Sequence, residues 1–90
     1  MYNYVYRLDH IETNEFYIGS RSSKLHPTVD PYLGSMVTWK PDKTKLIKTI
    51  IKDDFETRSD AVLYEAELIS KYITDELNRN YNVPHKDSHS

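Results

Sequence analysis

Tyr6 and Tyr17 stand eleven residues apart, each inside a short tyrosine motif, Tyr4-Val5-Tyr6 and Tyr17-Ile18-Gly19, and Arg21 follows close behind. A hairpin joining the motifs would set several aromatic hydroxyls beside a guanidinium. That mixture of hydrogen-bonding groups and fixed positive charge suits a site rather than a core. The matching acid is Glu65, in a segment with helical spacing. At 100° per residue it is flanked by Ala61 and Ile69 on one side and by Leu68 and Tyr72 on the other, while Glu67 points the opposite way. A carboxylate on the inward face of a short helix is costly unless it meets a cation, a metal or strong donors. Blander readings stand beside this one. Eight tyrosines in ninety residues could simply furnish strand faces and core edges, and Glu65 could snorkel or pair with a lysine at the helix edge.

The elements that must position these groups are legible in part. Tyr2, Tyr4, Tyr6 and Leu8 alternate with Asn3, Val5 and Arg7, a period of two that reads as a half-buried strand. The run Phe16-Tyr17-Ile18-Gly19 is β-prone, and the polar Glu12-Thr13-Asn14-Glu15 between them contains an asparagine that tolerates the left-handed backbone of tight turns. A turn centred on Thr13 and Asn14 pairs His10 with Tyr17, Leu8 with Gly19 and Tyr6 with Arg21, so that Tyr6, Tyr17 and Arg21 share one face. A slip of one residue would send Tyr17 and Arg21 to the other side.

Residues 20–43 are the least regular stretch, broken by Pro27, Pro31, Pro41 and Gly34, with one short helix expected near residues 32–39. Trp39, the single tryptophan, would anchor this excursion to the core or offer a stacking surface to a base. Residues 44–52 read as a strand, because isoleucine and threonine dominate a short segment. A helix over residues 61–73 is capped by Thr57 with Asp60 three positions on, and its apolar stripe is Ala61, Leu68, Ile69 and Tyr72, with Val62 and Ile73 at the margins. Beyond Pro84 the polar residues 85–90 lack periodicity and read as a disordered tail, leaving residues 1–84 as one domain.

Composition narrows the class. Ninety residues allow one core, burying roughly 60–65% of the unfolded surface. No apolar run approaches the roughly 18 residues of a membrane span, and no signal peptide is visible. The absence of cysteine excludes a disulfide framework and a thiolate zinc site, as expected of a cytoplasmic protein. Four scattered histidines without ligand spacing make no zinc site either. The net charge of −2 argues against a protein that grips nucleic acid with its whole surface, so any basic footprint is local. Arg21, Lys24, Lys40, Lys43, Lys45, Lys48 and Lys52 supply seven of the twelve cationic residues, either as that footprint or as a solvated face.

Tyr4-Val5-Tyr6, Tyr17-Ile18-Gly19, the helical Glu65 followed by Leu68-Ile69, and Tyr81-Asn82 occur in the order and approximate spacing of the GIY-YIG nuclease domain, which the chain resembles over residues 2–84. The resemblance implies an α+β fold, a three-stranded antiparallel sheet flanked by helices, and a metal-dependent endonuclease hydrolysing DNA. It implies Mg²⁺, or another divalent cation such as Mn²⁺, held by Glu65 and waters. Tyr6 would orient or deprotonate the attacking water, Tyr17 would complete the hydrogen-bond network, Arg21 would carry transition-state charge, and Asn82 would support the site. Two departures matter. Tyr4 replaces the first motif's glycine, and Arg21 follows Gly19 by two positions where the family's arginine lies further on, upon a helix. Small phage-type members combine an early basic residue with a later segment like Tyr32-Leu33-Gly34-Ser35. Lys24, His26 and Lys40 are the substitutes for Arg21, and together with Arg21, Lys45 and Lys48 they would form the contact to nucleic acid.

The rivals to this reading are a catalytically silent module that binds nucleic acid or protein on the same scaffold, and a structural domain with tyrosines in its core. DNA is the expected partner and no membrane is. A transient homodimer is conceivable, since a clean double-strand cut needs two active sites unless one acts twice. For a phage-encoded chain the compartment would be the host cytoplasm.

Overall fold

A strand rich in tyrosine and branched side chains, β1 (Tyr2–His10), lies at the centre of a three-stranded antiparallel sheet. The computed structural model describes residues 1–34 and 39–80. β2 (Phe16–Ser23) pairs with β1 on one side and β3 (Leu46–Phe55) on the other, in the order β2-β1-β3. One helix, α1 (Arg58–Lys71), completes a small α+β fold. The helical flanking expected from the resemblance is thus a single α-helix among the described residues, with a 3-10 turn at Lys43–Lys45 leading into β3.

The alternation in β1 marks two different covers rather than inside and outside. Asn3, Tyr4, Val5, Tyr6 and Leu8 are all buried, which corrects the half-buried expectation. A central strand is covered on both sides, and solvent reaches it only at Tyr2 and, in part, at Arg7 and Asp9. Val5 joins Phe16 and Ile18 of β2 and Ala61 and Ile69 of α1 in one core, with Phe55, Tyr64, Leu68 and Tyr72 packed around it. On the opposite side Tyr4, Tyr6 and Leu8 form a second core with Tyr17, Tyr32, Leu33, Leu46 and Ile50.

The hairpin register differs from the expected one by two residues: Leu8 faces Tyr17, Tyr6 faces Gly19 and Tyr4 faces Arg21. The turn is centred earlier in the chain. His10 N–H donates to Glu15 O at 2.9 Å and Asn14 N–H to His10 O at 3.0 Å, and the His10 Nδ1 accepts from the backbone N–H groups of Glu12 and Thr13. Asn14 supplies the left-handed step at φ 64°. Because the side-chain period is two, an even displacement leaves every residue on its expected face.

α1 begins where the sequence requires. The Thr57 hydroxyl accepts from Asp60 N–H at 3.1 Å, a cap worth about 1 kcal/mol, and the expected stripe faces the sheet through Ala61 and Ile69. Among the described residues no helix is long and apolar enough to cross a membrane. The short helix expected near residues 32–39 does not form over 32–34, and residues 35–38 lie outside the described residues.

After α1 the chain returns to the free edge of β2. Phe16 N–H donates to Leu77 O at 2.9 Å and Arg79 N–H to Phe16 O at 2.7 Å, a parallel bridge centred on Asn78. The Arg79 Nε donates to Glu15 Oε2 at 2.6 Å, which with the Thr13 hydroxyl holds the half-buried Glu15 carboxyl below the usual range against the effect of burial. The edge strand is thereby closed to further pairing over this stretch.

Candidate functional site

The tyrosine face gathers side chains from all three strands. Tyr4 and Tyr6 come from β1, Tyr17 and Arg21 from β2, and Lys48 from β3. The expectation that Tyr6, Tyr17 and Arg21 share a face therefore holds, with Tyr4 as a fourth member. Tyr6 lies across Gly19, where a Cβ would stand 2.6 Å from the Tyr6 Cζ. Its ring meets Tyr4 at 6.0 Å and Tyr32 edge-on at 6.3 Å.

Burial, then the negative potential of Tyr17, Tyr32 and Glu65, pushes the Tyr6 hydroxyl far above its ordinary pKa. Tyr6 is thus a neutral phenol at any physiological pH, able to donate a hydrogen bond and unsuited to deprotonating water. Acting as a base, the other role the sequence offered it, would need a neighbouring cation to lower that pKa. Tyr17 is half-buried, and its hydroxyl is also raised, by burial and then by Glu65 and Tyr32. Trp39 stacks on it at 6.4 Å with 29° between the rings. That contact fits the anchoring role.

Glu65 is half-buried on α1, on the Val5–Ile18 side of the sheet, opposite the tyrosine face. The hydroxyl of Ser20, the residue of β2 between Gly19 and Arg21, donates to Glu65 Oε1 at 2.7 Å. Glu65 is within electrostatic reach of Tyr6 and Tyr17. Its inward position is satisfied by a hydroxyl, and among the described residues it forms no ion pair. No group of three or more His, Asp or Glu capable of holding a metal occurs among the described residues. A lone carboxylate with one oxygen braced by a hydroxyl fits a hard cation that keeps most of its waters and shares substrate oxygens; it does not fit a closed protein cage.

Behind Arg21 lies a polar cluster that the sequence did not announce. The Arg21 Nε donates to Asp30 Oδ2 at 3.0 Å and the Tyr4 hydroxyl donates to the same oxygen at 2.6 Å, while Tyr32 N–H donates to Oδ1 at 3.2 Å. Burial alone would raise the Asp30 carboxyl, but these donors, led by Arg21, hold it well below the usual carboxylate range. The guanidinium also sits 4.1 Å over the Tyr32 ring, a cation–π contact.

Lys48 completes the cluster. Its Nζ donates to the Tyr4 hydroxyl at 2.7 Å, to Tyr32 O at 2.7 Å and to Asp30 O at 3.2 Å. Its three donors are spent inside the protein, so Lys48 is a structural cation and not the nucleic-acid contact expected of it. Burial lowers its pKa, and the charge of Asp30 opposes that.

The remaining candidates are dispersed. Lys24, His26 and Lys40 are exposed. The His26 Nδ1 is 2.9 Å from the Thr28 hydroxyl, and Lys45 pairs with Glu12 at 3.1 Å. Asn82 lies outside the described residues. Two positions earlier, Asn80 gives comparable support. Its Oδ1 accepts from Ile18 N–H at 3.1 Å and its Nδ2 donates to Ile18 O at 2.7 Å. The alternating asparagines at 78, 80 and 82 were the signal for such a role. Asp30 had a weaker one, as one of two acids between Glu15 and Asp53.

Compared with protein-family models, with curated proteins and with solved structures, the chain has no match.

Proposed function

We propose that this protein is a metal-dependent endonuclease of the GIY-YIG type, hydrolysing DNA phosphodiester bonds. One observation carries the reading: Tyr6, Tyr17 and Arg21 occupy one sheet face, and Glu65, held by the Ser20 hydroxyl on the helix side of the same strand, lies within electrostatic reach of the two phenols. Hydrolysis adds a water oxygen to phosphorus and expels a sugar oxygen through a transition state with negative charge spread over the phosphoryl oxygens. Arg21, a fork of donors on one face, opposes that charge. Tyr6 stays protonated and donates a hydrogen bond, and Tyr17, nearer the solvent, orients the water or a phosphate oxygen. Glu65 would hold Mg²⁺ or Mn²⁺, which when bound supplies Lewis-acid stabilisation and an acidified water.

The second reading, a silent binding module, is favoured by the engagement of Arg21 with Asp30 and by the net charge of −2. Nicking of supercoiled plasmid with Mg²⁺ or Mn²⁺ separates the two. The endonuclease reading expects nicking that is abolished by Glu65→Ala and reduced by Tyr6→Phe. DNA binding without nicking under either metal selects the binder. Undiminished nicking in both variants rejects the site.

A further inference from the structure

We infer that Asp30 is a positioning residue for Arg21, fixing the guanidinium so that its terminal nitrogens meet a phosphodiester oxygen arriving on the tyrosine face. The inference rests on the proposed reading of that face as a DNA-phosphate site and names the device that prepares it.

A free arginine side chain samples many rotamers, and a fork that must match a phosphate loses affinity for every one it leaves behind. Here two contacts act on the same planar group. The bond from Nε to Asp30 Oδ2 fixes it in its plane, and the Tyr32 ring, 4.1 Å away, fixes the plane itself. Bonding through Nε uses the side edge of the guanidinium, shared with one terminal nitrogen, and leaves the end-on fork of the two terminal nitrogens, while a third of the side chain stays exposed.

Asp30 is itself held from several sides. Its side chain is 1% exposed, β1 reaches it through Tyr4, its own loop through Tyr32 N–H, and β3 through the bond from Lys48 to its carbonyl. An acid behind a phosphate-binding arginine would ordinarily weaken anion binding by its charge. Lys48 offsets this, leaving the trio of Arg21, Asp30 and Lys48 with one net positive charge. The low exposure of Asp30 keeps its own oxygens away from an incoming anion.

The test is a cycle on the intact chain with Arg21→Ala, Asp30→Asn and the double variant. Binding of a fluorescent DNA duplex is read by anisotropy in EDTA, so that no turnover is needed, alongside plasmid nicking with Mg²⁺. Asp30→Asn is expected to weaken binding about tenfold although it removes a negative charge, Arg21→Ala to weaken it comparably, and the double variant to lose no more than Arg21→Ala alone. A variant with Asp30 neutralised that binds as tightly as the parent or tighter overturns the inference, as do losses that multiply in the double variant.

Arg21→Lys guards against misfolding of the Asp30 variant, because it leaves Asp30 in place. A positioned fork predicts a loss close to that of alanine, whereas full retention means that charge alone matters and Asp30 positions nothing. If the parent binds DNA and the cycle holds but no nicking occurs, the inference stands and the endonuclease reading fails. If the parent neither binds nor nicks, both fall.

Discussion

The phenol of Tyr6 passes over the backbone of Gly19, its cross-strand partner, with no room for a methyl group between them: an added Cβ would stand 2.6 Å from Cζ. Tyr6 is 2% exposed and bounded by Tyr4 and Tyr32, so its ring has nowhere to retreat. Gly19→Ala is therefore expected to destabilise the fold by about 1–3 kcal/mol, the usual range for overpacking. The double variant with Tyr6→Leu should lose less than the two single losses combined, because the clash is shared. Urea denaturation of the four proteins checks both points, and a Gly19→Ala protein as stable as the parent would remove the steric basis for glycine here.

Ser20 touches Glu65 and is not part of either core. Ser20→Ala removes one hydrogen bond from a half-buried carboxylate, a loss of about 1 kcal/mol or less in stability. On the proposed function it frees the carboxylate to rotate, and nicking at saturating Mg²⁺ should fall about tenfold, since small misplacements of catalytic groups are expensive. Ser20→Thr should restore most of the rate. Equal rates for parent and alanine variant at saturating Mg²⁺ would show that the hydroxyl does not set the carboxylate's geometry.

Asp30 makes stability depend on acid. Its carboxyl is held well below the usual range in the folded chain, the donors outweighing burial, while the unfolded value is about 3.9. The folded state thus binds the proton less tightly than the unfolded one. The stabilisation is complete above about pH 4 and drains away as pH falls toward the depressed folded value. Thermal melts between pH 2 and 7 should show the parent losing stability below about pH 4. Asp30→Asn should be less stable at neutral pH with a shallower acid limb. Parallel acid limbs would assign the pH dependence to other groups, among them Glu15, whose carboxyl is also lowered.

Local patterns proved readable where they carried a period or a cap. Thr57 and Asp60 marked the start of α1, Ala61 and Ile69 its buried stripe, and the alternation around Tyr6 and Tyr17 put both on Arg21's face even though the turn lay one position earlier than expected. Asp30 and Lys48 were opaque for a different reason. Their bonds to Arg21, Tyr4 and the chain at Tyr32 cross a loop whose path is fixed by no repeat, so an inward lysine cannot be told from a solvated one by spacing. Tyr4, which read as a departure from a motif, is the hydroxyl that joins those two residues.

Asn80 exposes the same limit and yields a sharp test. Its amide fills the place of a backbone pair at Ile18, accepting from one group and donating to the other, and it is 2% exposed. Asn80→Ala leaves a buried N–H and a buried C=O unsatisfied, which costs about 1–3 kcal/mol for each group. Asn80→Asp keeps an acceptor for Ile18 N–H but sets a carboxylate against Ile18 O, so it should be no milder. Hydrogen exchange at the Ile18 amide reads the effect locally: protection should fall in the alanine variant by more than at Val5 on the central strand. Equal loss at both amides would mean global destabilisation. Unchanged protection at Ile18 would mean that the amide of Asn80 does not close the edge of β2, and that the frame beneath Tyr17 and Gly19 stands without it.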